Sequence, residues 1–329
     1  MATLTHPLSL DIQHMEYKMG IKESMIQLTP SPLVRLFSAP YVAGNSLNAA
    51  IEKADRLWQT QQLQTTLDLL GEGIKEREDI THEVDEYLRV IDAIGDKSYI
   101  TISLKPTQMG LNIDPAFCRD NIARILKRAQ THNIQVTIDM EESDYTESTL
   151  VLHRSLREEF DNVGTVLQSR LFRTEEDIHK HLDGLKAHIR LCIGIYNEPA
   201  NIALQKKPEI KDNLFKLLGI LWEKGHFVGI ATHDEALLRR CLALAKERNI
   251  PKEQYEVQML LGVPRKAIQQ EIVKSGIPVR LYVPYATTWD HALAYLRRRM
   301  AENPNMIFYV LGNLWQRMWR WIRPKKPSL

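Results

Sequence analysis

The sequence predicts a (β/α)8 TIM-like barrel, an α/β fold in which helices surround eight parallel strands. Three observations favour this fold class. About eight short apolar runs recur along the 329 residues, and longer stretches of helical periodicity separate them. The runs are apolar nearly throughout, as is typical of a parallel sheet covered by helices. An open doubly wound sheet would normally carry a Gly-x-Gly-x-x-Gly turn after its first strand, and the sequence has none.

The elements follow one another in a regular order. A helix is predicted over residues 46–61, where apolar residues recur at helical spacing. Strands are predicted over residues 65–70, 99–104, 134–140, 164–168, 189–195, 227–232, 255–260 and 279–284. The helices between them are predicted over residues 80–94, 115–131, 148–160, 175–185, 214–224, 234–248 and 266–275, and an amphipathic helix follows the last strand. Glycine or asparagine ends several of these helices, as at Gly95, Asn133 and Gly225.

We expect three parts: an N-terminal helical segment over residues 1–62, a catalytic barrel over 63–304 and an aromatic and basic tail over 305–329. The net charge of +2 gives no case for nucleic-acid binding. The three cysteines lie far apart, without zinc spacing or a disulfide pattern. No signal peptide or membrane-spanning run is evident, so a cytoplasmic location is expected.

In such a barrel the functional site lies at the carboxyl ends of the strands. The polar residues predicted there are Asp68, Glu72, Lys105, Thr107, Asp139, Glu141, Glu142, Gln168, Tyr196, Asn197, Thr232, His233, Gln258 and Tyr282, with Arg190 inside its strand. A charge among apolar residues is costly unless it is paired, so Lys105 and Asp139 are interpreted as a buried ion pair. Arg190 has no partner in its own strand, and an anionic or electron-rich cofactor would supply one.

Three consecutive arginines, Arg297 to Arg299, lie on the last helix, with Glu302 one turn beyond Arg298. Such a run is usually a solvated face. However, adjacent guanidinium groups repel one another unless an anion lies nearby, and Arg before Glu is the poorer order for a helical ion pair. An anion-binding role therefore remains open beside the solvated one.

The strand ends together resemble the proline dehydrogenase family, the FAD-dependent (β/α)8 barrels that begin proline breakdown. The resemblance covers residues 47–304 and rests on eight motifs that occur in order. They are S-L-K-P-T-Q-M-G-L, I-D-M-E-E-S-D, V-L-Q-S-R-L-F-R-T, I-R-L-C-I-G-I-Y-N-E-P, G-I-A-T-H-D, Y-E-V-Q-M-L-L-G-V, V-R-L-Y-V-P-Y and L-R-R-R-M-A-E-N-P. Each motif alone is weak, but eight in order form a specific pattern.

The resemblance implies a role for each matching position. The residues that would bind FAD are Gln168, Arg190, Gly194, Thr232, His233 and Gln258, with Arg190 beneath the flavin. Arg298 and Arg299 would hold the carboxylate of proline, and Glu302 would orient Arg299. Lys105 would add positive charge, and Asp139 would hold that network. Tyr282, Leu260 and Tyr196 would border the pyrrolidine ring. The resemblance also places the last helix over the barrel mouth and implies a quinone as electron acceptor.

Several positions depart from the family pattern, and they keep alternatives open. Ile193 stands where the family usually has a lysine that helps to hold the cofactor, and Ile195 stands where it has alanine. One alternative is therefore a binding module that has lost FAD, and another is a Schiff-base aldolase that uses Lys105. If the chain is such an enzyme, hydroxyproline or another cyclic amino acid could replace proline as the substrate.

The tail interleaves tryptophan with cationic residues. Aromatic and basic side chains together suit a membrane–water interface, so the tail is a candidate peripheral contact at the inner face of a membrane. The alternative is that Trp315 and Trp319 pack the tail against the barrel.

Overall fold

A computed structural model describes residues 41–44, 46–71, 76–287 and 293. Within them, eight parallel strands close into a barrel in chain order, which confirms the predicted fold class. The strands are β1 (Gln64–Leu69), β2 (Ile100–Leu104), β3 (Val136–Ile138), β4 (Val163–Gln168), β5 (His188–Cys192), β6 (Phe227–Ala231), β7 (Tyr255–Leu260) and β8 (Val279–Tyr285). The helices are α1 (Leu47–Gln61), α2 (Arg77–Ile94), α3 (Pro115–Gln130), α4 (Thr146–Arg157), α5 (Thr174–His181), α6 (Lys207–Glu223), α7 (Glu235–Glu247) and α8 (Lys266–Lys274).

Some elements begin or end elsewhere than predicted, for local reasons. Strand β3 is shorter than the predicted 134–140, and Asp139, the residue after it, turns its carboxylate toward β5. Strand β5 ends at Cys192 rather than at 195, because Gly194 has a φ of +86° and the extended backbone stops there. Helix α6 starts before the predicted 214 because Pro208 in its first turn needs no N–H partner.

Polar side chains begin several helices. The Ser46 hydroxyl accepts a hydrogen bond from the Ala49 N–H at 3.2 Å and starts α1. The Asp114 carboxylate accepts from two backbone N–H groups of α3. The Asp234 carboxylate accepts from the Leu237 N–H at 2.8 Å and starts α7. The βα loops that carry Asp114 and Asp234 are therefore fixed at their helical ends.

Helix α1 takes an unusual place in the outer ring. It contacts β1, β8 and α2, so it covers the wall that a helix after β8 covers in a simple barrel. The segment before it runs beside β8, where the Ala43 N–H donates to the Pro284 carbonyl at 2.9 Å. Helix α1 therefore covers β1 and β8 without a helix from the chain after β8. The predicted placement of the last helix over the mouth lies outside the described residues, apart from the buried residue Leu293.

The apolar core lies between the outer face of the strands and the helices. The barrel interior is different at its amino-terminal end, where a partly open cavity of ≈ 230 Å³ is lined by polar and charged side chains together with apolar ones. Its lining includes Thr66, Thr101, Thr137, Glu256 and Arg280. Barrel interiors usually contain branched apolar side chains instead.

Candidate functional site

Arg190 is the centre of a hydrogen-bonded network inside the barrel. Its guanidinium donates from Nε to Gln258 Oε1 at 2.6 Å, from Nη2 to Ser103 Oγ at 3.0 Å, and from Nη1 to Asp139 Oδ1. These partners come from β7, β2 and the end of β3. Burial by itself lowers the pKa of Arg190, but the charge and hydrogen bond of Asp139, together with Tyr282 and Cys192, outweigh burial and raise the pKa. Arg190 has no partner in its own strand and is held instead by residues of three other strands.

Asp139 joins Arg190 to Tyr282. The Tyr282 hydroxyl donates to Asp139 Oδ2 at 2.6 Å, and the Arg190 guanidinium lies 5.0 Å from the centre of the Tyr282 ring. Burial first, and then the Asp139 charge, raise the pKa of Tyr282 well above its usual value. Tyr282 is therefore a neutral hydrogen-bond donor in the physiological range.

Lys105 pairs with a different carboxylate from the one predicted. Its ammonium donates to Asp68 at 3.0 and 3.2 Å, and among the described residues Asp68 is its ion-pair partner. The predicted Lys105–Asp139 pair was therefore wrong as a direct contact. Strands β1 and β3 both flank β2, so either carboxylate could reach Lys105. Asp139 is engaged by Arg190 and Tyr282, which leaves Asp68 for the lysine.

The charge of Lys105 bears on the aldolase alternative. Burial lowers the pKa of Lys105, but the charges of Asp68 and Asp139 outweigh it and raise the pKa above the usual value of 10.5. A Schiff base forms from the unprotonated amine. A lysine held as ammonium is suited to binding a carboxylate rather than attacking a carbonyl.

Glu141 fixes the loop that follows Lys105. Its carboxylate accepts from the Thr107 hydroxyl at 2.8 Å and from the Thr107 N–H at 3.1 Å. The Gln168 side chain donates to the Glu141 carbonyl at 2.9 Å. The ends of β2, β3 and β4 are thus tied together beside the network.

Gln168 and Gly194 form a narrow cradle at the ends of β4 and β5. Gln168 Oε1 is buried and accepts no hydrogen bond within the described part of the chain. A Cβ at Gly194 would lie 2.6 Å from that oxygen, so only glycine allows this approach. A flavin ring fits these groups because it offers N–H donors to an amide oxygen and an electron-rich system to the Arg190 cation.

The loop after β6 is bound to the end of β7. The Leu260 N–H donates to His233 Nε2 at 2.8 Å, and Arg265 Nε donates to the His233 carbonyl at 2.9 Å. The Thr232 hydroxyl accepts from the Asp234 N–H at 3.2 Å. Thr232, His233 and Leu260 thus form one corner of the strand-end face, two strands from Gln168.

The loop after β5 exposes apolar side chains. Ile193 and Ile195 are 39% and 43% exposed. The neighbouring Tyr196 is half-buried, and Arg170 donates to its carbonyl. The described part of this loop thus presents isoleucine where the family pattern has a cation.

Sequence reasoning gave no role to two members of the network. Asp68 was recognised only as a strand-end residue, and Ser103 was not singled out. Ser103 stands two residues before Lys105, where period-two alternation directs both side chains to one face. The sites predicted at Glu72, Arg298, Arg299 and Glu302 lie outside the described residues.

Comparisons with known proteins point to one family. The family model described as proline dehydrogenase matches residues 50–307. Proline dehydrogenase 2 of Bacillus subtilis (strain 168) is 35% identical over 281 residues, which are 85% of this chain and 91% of that protein. Proline dehydrogenase of Deinococcus radiodurans is 34% identical over 281 residues, which are 83% of this chain and 89% of that protein.

A solved structure shares the fold. Proline utilization A from Bdellovibrio bacteriovorus, inactivated by N-propargylglycine, superposes with a TM-score of 0.74 and 21% identity. The match covers 82% of this chain and 32% of that one, so this chain spans about a third of the larger protein.

Proposed function

This chain belongs to the proline dehydrogenase family and is an enzyme that oxidises proline, and we propose that FAD bound at the carboxyl ends of its strands is the oxidant. The product would be 1-pyrroline-5-carboxylate, in the first step of proline breakdown to glutamate. When bound, FAD would accept the hydride that leaves the ring carbon next to the substrate nitrogen. The enzyme must hold that carbon ~3 to 3.5 Å from the accepting atom.

The position of Arg190 carries the cofactor proposal. It is a guanidinium fixed by three acceptors inside the barrel. Its strand, β5, pairs with β4, which ends at the buried Gln168 oxygen, and leads to Gly194. A preorganised cation stabilises negative charge that develops on a neighbouring group, and it needs no reorganisation to do so. Gln168, Gly194, Arg190 and Gln258 would hold the flavin ring. Thr232 and His233 lie at the strand-end corner where the rest of the cofactor would bind.

The substrate side would use the remaining members of the network. Lys105 supplies a positive charge for the substrate carboxylate, and the family pattern adds Arg298, Arg299 and Glu302. Planar guanidinium groups suit bidentate contact with a carboxylate. Asp139 holds Arg190 and Tyr282 in place. Tyr282, Leu260 and Tyr196 would border the ring and exclude water from the reacting carbon.

The electron acceptor and the tail form a further part of this proposal. A quinone is the acceptor that the family suggests, and the Trp- and Arg-rich tail would bring the enzyme to a membrane that contains it. Within the described residues, no helix is long and apolar enough to cross a membrane. Vesicle flotation of the full chain and of a form lacking residues 313–329 tests the tail, and equal binding of both to anionic vesicles would contradict it.

One spectrum tests the central proposal. The purified protein is incubated with FAD, desalted, and its absorbance is recorded before and after anaerobic addition of L-proline. A flavin spectrum that bleaches on addition is the expected result. A bound flavin that stays oxidised would point to another cyclic amino acid, such as hydroxyproline. No bound flavin would overturn the cofactor proposal and favour the binding module.

A further inference from the structure

Asp68 is the most deeply buried carboxylate of the network. It lies on β1 and is 1% exposed, and it belongs to neither the flavin cradle nor the residues that border the substrate ring. A buried carboxylate without a hydrogen-bonded partner is costly, so its position requires a reason. Burial raises the pKa of Asp68, and the contact with Lys105 opposes that rise.

Both carboxylate oxygens of Asp68 accept from the Lys105 ammonium, at 3.0 and 3.2 Å. An ammonium has three N–H donors, and one small carboxylate cannot use them all. The Lys105 side chain is 14% exposed and follows the carboxyl end of β2, whereas the Asp68 side chain is 1% exposed and lies beneath it. Asp68 therefore leaves ammonium donor capacity at the strand-end side of the barrel, where Lys105 follows β2.

Asp139 does not replace Asp68 in this role. Its two oxygens accept from Arg190 and from the Tyr282 hydroxyl, respectively. Asp68 is therefore the carboxylate that the barrel assigns to the lysine.

We infer that Asp68 is a positioning residue, which aims the Lys105 ammonium at the substrate carboxylate and keeps it charged. The inference rests on the proposed function, because it assumes that Lys105 binds that carboxylate. The charged groups that act on Lys105 are Asp68 on β1 and Asp139 and Glu141 beyond β3. Arg190 on β5 and Tyr282 on β8 contact Asp139 rather than the lysine.

The electrostatics around Lys105 give this inference a specific signature. Burial lowers the pKa of Lys105, and Asp68 is the strongest of the groups that reverse this effect. Without the Asp68 charge, burial should prevail, and Lys105 should lose its proton at a lower pH. A purely structural ion pair would change the Lys105 protonation in the same way, but only a role at the substrate would carry that change into the KM for proline.

The test uses Asp68→Asn in the full-length protein, because asparagine keeps the shape and removes the charge. The protein is labelled with lysine that carries 13C at Cε, and NMR follows the Lys105 signal as the pH changes. The signal that disappears in the Lys105→Arg variant is the Lys105 signal. In the wild type the signal should titrate above the usual lysine range. In Asp68→Asn its pKa should fall by about one unit or more, since burial can lower a lysine pKa by ~3 to 5 units.

Steady-state kinetics of the flavin-loaded enzyme provide a second test of the inference. We compare the KM of Asp68→Asn for proline with the wild-type KM at the same pH. The ratio of the two should rise about tenfold per pH unit above the lowered lysine pKa, because Lys105 then loses its charge. The double variant Asp68→Asn with Lys105→Arg should give a ratio that is constant with pH, because guanidinium stays charged. Asp68→Glu should restore the wild-type profile in part.

Two results would overturn the inference: an unchanged Lys105 titration in Asp68→Asn, or a uniform fall in kcat with a KM ratio that does not vary with pH. Far-ultraviolet circular dichroism establishes that the variant is folded. A wild type that binds FAD but does not oxidise proline would defeat the proposed function alone, because the NMR titration needs neither cofactor nor substrate.

Discussion

At the scale of single residues, the barrel contains two buried arginines that do different work. Arg190 lies in the strand-end network. Arg280 lies on β8 toward the amino-terminal end, where Nε donates to Glu256 at 2.8 Å and Nη1 donates to the Thr65 carbonyl at 3.0 Å. Both are paired, so both support the fold. Only Arg190 stands beside the proposed flavin cradle.

Replacing each arginine with lysine separates these roles. Lysine keeps the charge but loses the planar fork, so each variant should unfold at a lower temperature than the wild type. Arg190→Lys should also lower kcat for proline about 10²-fold or more, by analogy with removal of a preorganised donor. Arg280→Lys, the matched control, should keep its kcat and flavin content. Equal kcat losses in the two variants would contradict the special position of Arg190.

At the scale of elements, the turn after β5 decides how closely two strand ends approach. Gly194 has a left-handed φ of +86°, and its Cα faces Gln168 Oε1. Gly184, between α5 and β5, has a similar φ of +75°, but no atom would lie within 4 Å of an added Cβ. The two glycines therefore share a left-handed backbone, which strains any residue with a Cβ, and differ in the contact that this Cβ would make.

Alanine at each glycine distinguishes strain from contact. Gly184→Ala should cost ~1 to 2 kcal/mol of unfolding free energy, from the left-handed backbone alone, and should leave the flavin content unchanged. Gly194→Ala should cost more and should also reduce the flavin bound per chain, because the new methyl group pushes Gln168 away. Urea unfolding measures the loss of unfolding free energy. The ratio of absorbance at about 450 nm to that at about 280 nm measures the flavin bound per chain. Full flavin content in Gly194→Ala would argue against the cradle.

At the scale of the whole molecule, polar side chains lie in an unusual place, inside the barrel. The interior of the barrel carries ion pairs and hydroxyl groups, whereas the apolar core lies outside the strands. Buried histidines complete that outer layer. Burial first, and then the Arg157 charge, lower the pKa of His153 to about 3, and burial lowers the pKa of His226 to about 4. Both imidazoles are thus neutral in the folded enzyme at physiological pH.

These histidines make the fold sensitive to acid. Unfolded histidine titrates near pH 6.5, above both folded values, so the unfolded chain binds more protons below that pH. Their contribution to stability is present above about pH 6.5 and is lost as the pH falls through about 4 for His226 and about 3 for His153. His153→Gln should reduce the slope of unfolding free energy against pH, between pH 4.5 and 6, by about 1.4 kcal/mol per pH unit.

Urea unfolding at several pH values measures that slope. Above pH 7 the variant and the wild type should show the same dependence on pH, because the imidazole is then neutral in both states. A slope between pH 4.5 and 6 that matches the wild type would contradict the low pKa of His153 in the folded chain.

The sequence alone determined the fold class and most of the strand-end residues. Apolar runs alternating with amphipathic helices specify a parallel barrel locally, because each run needs cover on its outer face. The carboxyl end of each run then fixes where Lys105, Asp139, Gln168 and Gln258 stand along the barrel axis. The family pattern supplied roles for them, and the roles of individual residues remain predictions.

Only the tertiary structure decided which side chains meet. Lys105 follows β2, whose two neighbours each offer a carboxylate, and no local pattern ranks Asp68 above Asp139. The choice depends on Arg190 and Tyr282, which reach Asp139 across the barrel from β5 and β8. Such contacts join residues 51 and 143 positions apart, so they follow from closure and register rather than from local spacing.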